Sequence, residues 1–124
     1  MYNKQKRRRK KMSDCIFCKI ASGEIKSEII YKDEQVVAFK DINPRAAIHF
    51  LIIPVKHIPT VYDLEEEDTE LVGHIFQVAK KLADEYNIAE RGYRVVVNCK
   101  EDGGQEVFHL HFHLLGGEKL GAFC

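Results

Sequence analysis

Three of the six histidines, His109, His111 and His113, stand at alternate positions, and Phe108, Leu110, Phe112 and Leu114 fill the places between and beside them. On a helix these histidines would spread over about 400° of arc, at about 100° per residue, and define no face. In a β-strand successive side chains point to opposite sides, so all three imidazoles share one face and the four apolar groups the other. The stretch therefore predicts a strand over residues 107–115, in a sheet with one covered face. The other face presents a row of imidazoles about 6.5–7 Å apart.

The remaining pattern supplies partners for that strand. A short helix from near Cys15, capped by Ser13 or Asp14, carries Ile16, Phe17 and Ile20 and stops at Gly23. Strands are expected over 28–32 and 35–41, joined by a tight turn, and over 49–54, which is apolar almost throughout and so central. Residues 65–86 form the one strong helix: Leu71, Ile75, Val78 or Ala79, Leu82 and Tyr86 recur at helical spacing behind an acidic start. A strand over 92–99 and a polar, Gly-rich turn lead into the histidine strand. Strands with one long helix between the third and fourth define an α+β fold with a five-stranded antiparallel sheet. His74, alone on the long helix, reads as structural.

At 124 residues the chain suffices for one domain. Its apolar runs are too short for a membrane-spanning helix. Its net charge of zero conceals an asymmetry. Lys4, Lys6, Arg7, Arg8, Arg9, Lys10 and Lys11 are seven of the 19 basic groups, which leaves 12 against 19 acidic groups in residues 12–124. So acidic a body does not suit general nucleic-acid binding. Residues 1–11 read as a solvated basic tail, and residues 12–124 as the domain. No apolar segment follows the basic run, so it is no secretory signal. Residues 6–11 can also be encoded by purines alone, as a ribosome-binding site upstream of a start at Met12 would be. The four cysteines come without a signal segment, which fits a cytoplasmic protein rather than a disulfide framework.

Crowded imidazoles disfavour one another's charged form and stay neutral near neutrality. A neutral imidazole is a nucleophile, and its neighbours can hold phosphate oxygens. Gly103, Gly104 and Gln105, just upstream, can form a backbone N–H nest for an anion, and Asn98 at the end of the preceding strand can add a donor. The combination points to attack on phosphorus. Cys15-x-x-Cys18 is half of a tetrahedral zinc site. The alternative, a redox pair, belongs to a βαβ context that is missing here.

His109-Leu-His111-Phe-His113-Leu-Leu, with Gly103-Gly104-Gln105 before it and Gly116-Gly117 after it, resembles the signature of the histidine triad (HIT) family, and in particular its nucleotide-binding branch. The resemblance runs from Cys15 to Gly117. It includes Ile16-Phe17, Phe39-x-Asp41-Ile42, His49-Phe50-Leu51-x-Ile53-Pro54-x-Lys56-His57 and Tyr93-Arg94-Val95-Val96-Val97-Asn98. It implies a homodimer with a continuous ten-stranded sheet, and release of a nucleoside monophosphate of AMP type from an amine through a nucleotidyl-histidine intermediate. His111 would be the nucleophile, His113 the phosphate ligand, and His49 and His109 the groups that orient the nucleophile. Ile16, Phe17, Ile20, Phe39 and Ile42 would enclose a purine, and Asp41 would accept from ribose hydroxyls. Asn98, Gly104, Gln105, Glu106 and Val107 would complete the nucleotide site. Zinc-bearing members carry Cys-x-x-Cys before the first strand, which implies structural Zn²⁺ on Cys15, Cys18, His57 and His109, with no organic cofactor. The chain departs from the branch at Glu106, where serine is common. A carboxylate there either points away from the phosphate or selects a cationic leaving group. Two other activities fit the resemblance: a non-catalytic nucleotide-binding regulatory module, and a dinucleoside polyphosphate hydrolase.

Overall fold

A computed structural model describes residues 14–123; the basic tail and the candidate start at Met12 lie outside them. Five antiparallel strands, β1 (Ile29–Lys32), β2 (Val36–Lys40), β3 (Ile48–Pro54), β4 (Arg94–Val97) and β5 (Phe112–Gly116), form one sheet in the order β1-β2-β3-β5-β4. As its apolar run predicts, β3 is central, and every residue after Ile48 is buried.

The sheet has two differently covered faces. Val36, Ala38, Phe50, Ile52, Phe112 and Leu114 meet helix α2 (Thr69–Glu85) through Leu71, Ile75, Val78, Ala79, Leu82 and Ala83. Each large aliphatic side chain buried there stabilises the fold by about 1.5–3 kcal/mol. On the opposite face Val37, Phe39, Leu51 and Ile53 pack under helix α1 (Ile16–Ser22) with Phe17, Ile20 and Ala21. Cross-strand register puts His49 and His113 on this second face, since Leu51 lies opposite His113 and His49 opposite Leu115.

The helix starts differ from expectation for definable reasons. Of the two caps expected for α1, Ser13 lies outside the described residues and Asp14 is not the cap. Cys15 is, its Sγ accepting the Cys18 N–H at 3.4 Å, and the helix stops at Gly23 with φ +86°. The acidic run ahead of α2 forms short 3₁₀ turns at Val61–Asp63 and Glu66–Asp68 instead of the first turn of an α-helix. There Asp63 and Asp68 fold back onto the Thr60 and Glu65 N–H groups at 3.1 and 2.9 Å, and Lys56 Nζ donates to Asp68 at 2.7 Å. These local bonds compete with α-helical continuation.

His74 is structural, as expected. Its Nε2 lies 2.6 Å from Asp33 Oδ2, tying α2 to the β1–β2 turn. Burial pushes the Asp33 carboxyl up, but hydrogen bonds from Tyr31, His74 and the Val36 and Gln35 N–H groups outweigh it and hold the group below the usual carboxylate range.

Strand β5 begins only at Phe112, so the expected strand over 107–115 loses its first half. Residues 107–111 run beside the loop that follows β3, where the Leu110 N–H donates to Ile58 O at 2.6 Å. The alternation survives without the ladder: Leu110, Phe112 and Leu114 sit in the α2 core, away from the histidine row.

Candidate active site

The histidines of the row meet His49 from the central strand. His113 Nδ1 lies 2.9 Å from His49 Nε2, and the rings of His111 and His113 are 5.1 Å apart. His49 Nδ1 accepts the Arg45 N–H at 3.0 Å, which puts the proton of neutral His49 on Nε2. That proton is shared between His113 Nδ1 and, at 3.4 Å, Asp41 Oδ2. His113 then carries its own proton on Nε2. His111 Nδ1 lies 2.8 Å from the carbonyl oxygen of His109, an acceptor only, so Nδ1 donates and Nε2 keeps the lone pair. His109 Nε2 donates to Pro54 O at 2.8 Å, which turns the Nδ1 lone pair toward the thiols.

Burial keeps this row neutral. His113 is pushed down to about 4, first by desolvation and then by His111 and His49. His109 is also pushed down to about 4 by burial. His111 and His49 move down for the same reason, although Asp41 pulls both the other way. The site therefore offers a neutral imidazole with a free Nε2 lone pair beside a second imidazole that donates from Nε2.

The structure brings His49 onto His113, not onto His111. His109 reaches His111 through its main chain while its ring turns elsewhere. Asp41 stands at the mouth of the loop after β2, with Oδ1 accepting the Asn43 N–H at 2.8 Å. The five apolar residues divide into two groups. Phe17, Ile20 and Phe39 are buried in the α1 core, whereas Ile16 and Ile42 are 47% and 89% exposed. Val107 packs against the same core.

The expected nest is closed in this structure. The Gly104 N–H donates to Glu101 O at 2.9 Å and the Gln105 N–H to Lys100 O at 3.0 Å. The Gln105 side chain is buried and committed to the Lys100 N–H, Pro59 O and Val107 O. Asn98 donates to Gly103 O. Gly103 has no room for a side chain, because a Cβ would come within 2.5 Å of Cys99 O. These residues build the turn that delivers the histidine row. Glu106 is exposed next to it, and its charge favours the protonated form of His111.

A second cluster adjoins the row. Cys15 Sγ and Cys18 Sγ lie 3.3 and 3.5 Å from His109 Nδ1, and Cys18 Sγ lies 3.2 Å from His57 Nδ1. The four donor atoms fall within 4.8 Å of one another, a group that could hold a metal ion. Asp41, His49 and His113 form another such group, already linked by the His49 hydrogen bonds. Three contributors had no signal in the sequence: the Arg45 N–H, Pro54 O and His109 O are backbone groups, which side-chain identity does not mark.

This fold and this histidine constellation define a histidine triad protein, and the chain belongs to the HIT family. The family model described as "Scavenger mRNA decapping enzyme C-term binding" matches residues 14–123. The purine nucleoside phosphoramidase of Escherichia coli K12 is 50% identical over 108 residues, covering 87% of this chain and 91% of that protein. The crystal structure of a HIT family hydrolase from Legionella pneumophila Philadelphia 1 has a TM-score of 0.86 at 49% identity, over 87% of this chain and 96% of that one. A histidine triad protein from Clostridium difficile has a TM-score of 0.87 at 48% identity, over 89% and 96%.

The depressed His113 makes acid destabilising. Between its ordinary value of 6.5 and about 4 the unfolded chain binds more protons than the folded one, so stability rises with pH. The contribution is complete above the unfolded value and is lost as pH falls from about 6.5 toward 4. Melting temperatures measured across this window should fall less steeply in His113→Asn than in the parent; equal slopes would contradict the assignment.

Proposed function

We propose that the protein hydrolyses the P–N bond of purine nucleoside phosphoramidates. The observation that carries this reading is the hydrogen bond from His111 Nδ1–H to His109 O at 2.8 Å, which leaves Nε2 unprotonated beside His113. His111 Nε2 attacks the α-phosphorus, an Nε2–P bond forms as the P–N bond breaks, and the leaving nitrogen takes a proton from solvent and departs as the amine. Water then cleaves the nucleotidyl-histidine and releases the nucleoside monophosphate. His113, donating from Nε2, holds a phosphate oxygen and stabilises the charge that develops there. His49 fixes the tautomer of His113. Exposed Ile16 and Ile42 flank the purine over the buried floor of Phe17, Ile20 and Phe39, and Asp41 accepts from the ribose hydroxyls. The name of the E. coli relative supports the substrate class.

His111→Ala should lower hydrolysis of adenosine phosphoramidate by at least about 10³-fold, as loss of a covalent nucleophile does. It should also abolish the covalent nucleotidyl adduct seen by mass spectrometry in the parent. Retained turnover in this variant would overturn the proposed chemistry.

The thiol–imidazole cluster suits Zn²⁺ in a structural role. A tetrahedral ion about 2.3 Å from sulfur and about 2.0–2.1 Å from nitrogen sets its ligands about 3.3–3.8 Å apart. The three sulfur–nitrogen separations, 3.2, 3.3 and 3.5 Å, lie in the short part of this range or just under it. A reducing cytoplasm would keep both thiols available as ligands. Protein purified without chelator should carry about one zinc per chain, and Cys15→Ser should lose it. A metal content unchanged by that substitution would refute the site.

The quaternary state that fits is a homodimer whose two sheets join edge to edge. β4 is an edge strand and leaves Tyr93 and Val97 39% and 37% exposed beside unpaired ladder positions. Light scattering should return about twice the 14.3 kDa chain mass. A monomer at micromolar concentration would exclude this assembly.

A further inference from the structure

We propose that the Cys15–Cys18–His57–His109 cluster, when it holds a metal ion, positions His111 for attack, with His109 and Phe17 as the positioning residues. The proposal rests on the nucleophilic role given to His111 above. Two structural routes lead from the cluster to that ring.

The first runs through the main chain. His111 is oriented by the carbonyl oxygen of His109, and residues 107–111 lie ahead of the β5 ladder. Strand pairing therefore does not fix that carbonyl. What fixes it is the His109 side chain, which is fully buried and engaged at both nitrogens: Nε2 on Pro54 O at 2.8 Å, and Nδ1 against Cys15 and Cys18 at 3.3 and 3.5 Å. The Leu110 N–H on Ile58 O adds one further anchor. A metal ion on Nδ1 would replace two soft sulfur contacts with a directional bond and lock the His109 ring, and with it the acceptor for His111.

The second route runs through α1. This helix has seven residues, fewer than a helix needs to persist alone. Its first turn is held by Cys15 as cap and by Cys18. Phe17 stands between them, with its ring edge-on to His111 at 5.1 Å and 82° and to His109 at 6.0 Å and 73°. Ligation of Cys15 and Cys18 thus presses Phe17 against the nucleophile and limits rotation of its ring.

The test uses full-length protein labelled with ¹⁵N-histidine and long-range ¹H–¹⁵N spectra, with His111 assigned from its loss in His111→Gln. Zinc-loaded protein should show His111 as a single Nδ1–H tautomer. Chelation that leaves the fold intact by circular dichroism should convert it to a tautomer mixture and lower kcat by about tenfold, the effect typical of lost outer-shell support. Adding zinc should restore both. Phe17→Leu keeps every ligand, so its zinc content should be unchanged. Its kcat should fall about tenfold while KM stays within about threefold. An unchanged tautomer and kcat in folded, metal-free protein would overturn the proposal. If chelation unfolds the chain, the substrate-free spectrum of zinc-loaded Phe17→Leu decides, and a single Nδ1–H tautomer of His111 there overturns the proposal. Failure of the phosphoramidase reading would show separately, as absent turnover in the zinc-loaded parent, and the tautomer measurement would still decide the coupling.

Discussion

A neutral imidazole has one N–H and one lone pair, and burying a row of them obliges the fold to supply a partner for each. His49 takes the Arg45 N–H on one nitrogen and gives its proton to His113 and Asp41 from the other. His109 gives its proton to Pro54 O, and His111 gives its proton to His109 O. Once these bonds are made, two lone pairs remain, on His109 Nδ1 and His111 Nε2. The first faces two thiols, and the second is the group suited to phosphorus chemistry. The same low-polarity setting that demands these partners keeps the rings uncharged, so local satisfaction of hydrogen bonds and chemical readiness have one cause.

The two faces of the sheet divide the work. The α2 face is a continuous apolar contact that accounts for most of the core and fixes β3 and β5 side by side. The α1 face is smaller and mixed, with Phe17, Phe39, Leu51 and Ile53 packed among imidazoles and thiols. A seven-residue helix over such a face gains little from its own hydrogen bonds and depends on what its ends are tied to. Stability is concentrated on one side of the sheet, and the chemistry on the other.

Much of this was legible in the residues. Alternation marks Leu110, Phe112 and Leu114 for the α2 core, apart from the histidines between them, although the ladder begins only at Phe112. The apolar run of β3 marks it as central, and helical spacing places the α2 core. Cys15, Cys18, His57 and His109 are named together by family resemblance, and the fold gathers them although His109 is 94 positions from Cys15. What the residues concealed is where backbone groups go. Gly103 and Gly104 suggest an anion nest, yet their turn consumes the N–H groups of Gly104 and Gln105 internally. Acidic residues before α2 suggest helix dipole partners, yet Asp63 and Asp68 bond the chain ahead of them and delay the helix. The two roles expected of the His109 side chain are likewise split: its carbonyl orients His111, and its ring faces the thiols.

The unpaired run ahead of β5 bears on how this chain can change over time. In a paired strand an added residue can be absorbed as a bulge, with the ladder restoring register beyond it. Between Gln105, locked into its turn, and Phe112, locked into β5, no ladder corrects the count. One residue gained or lost between His111 and Phe112 puts His109 and His111 out of step with His113, which β5 holds in place.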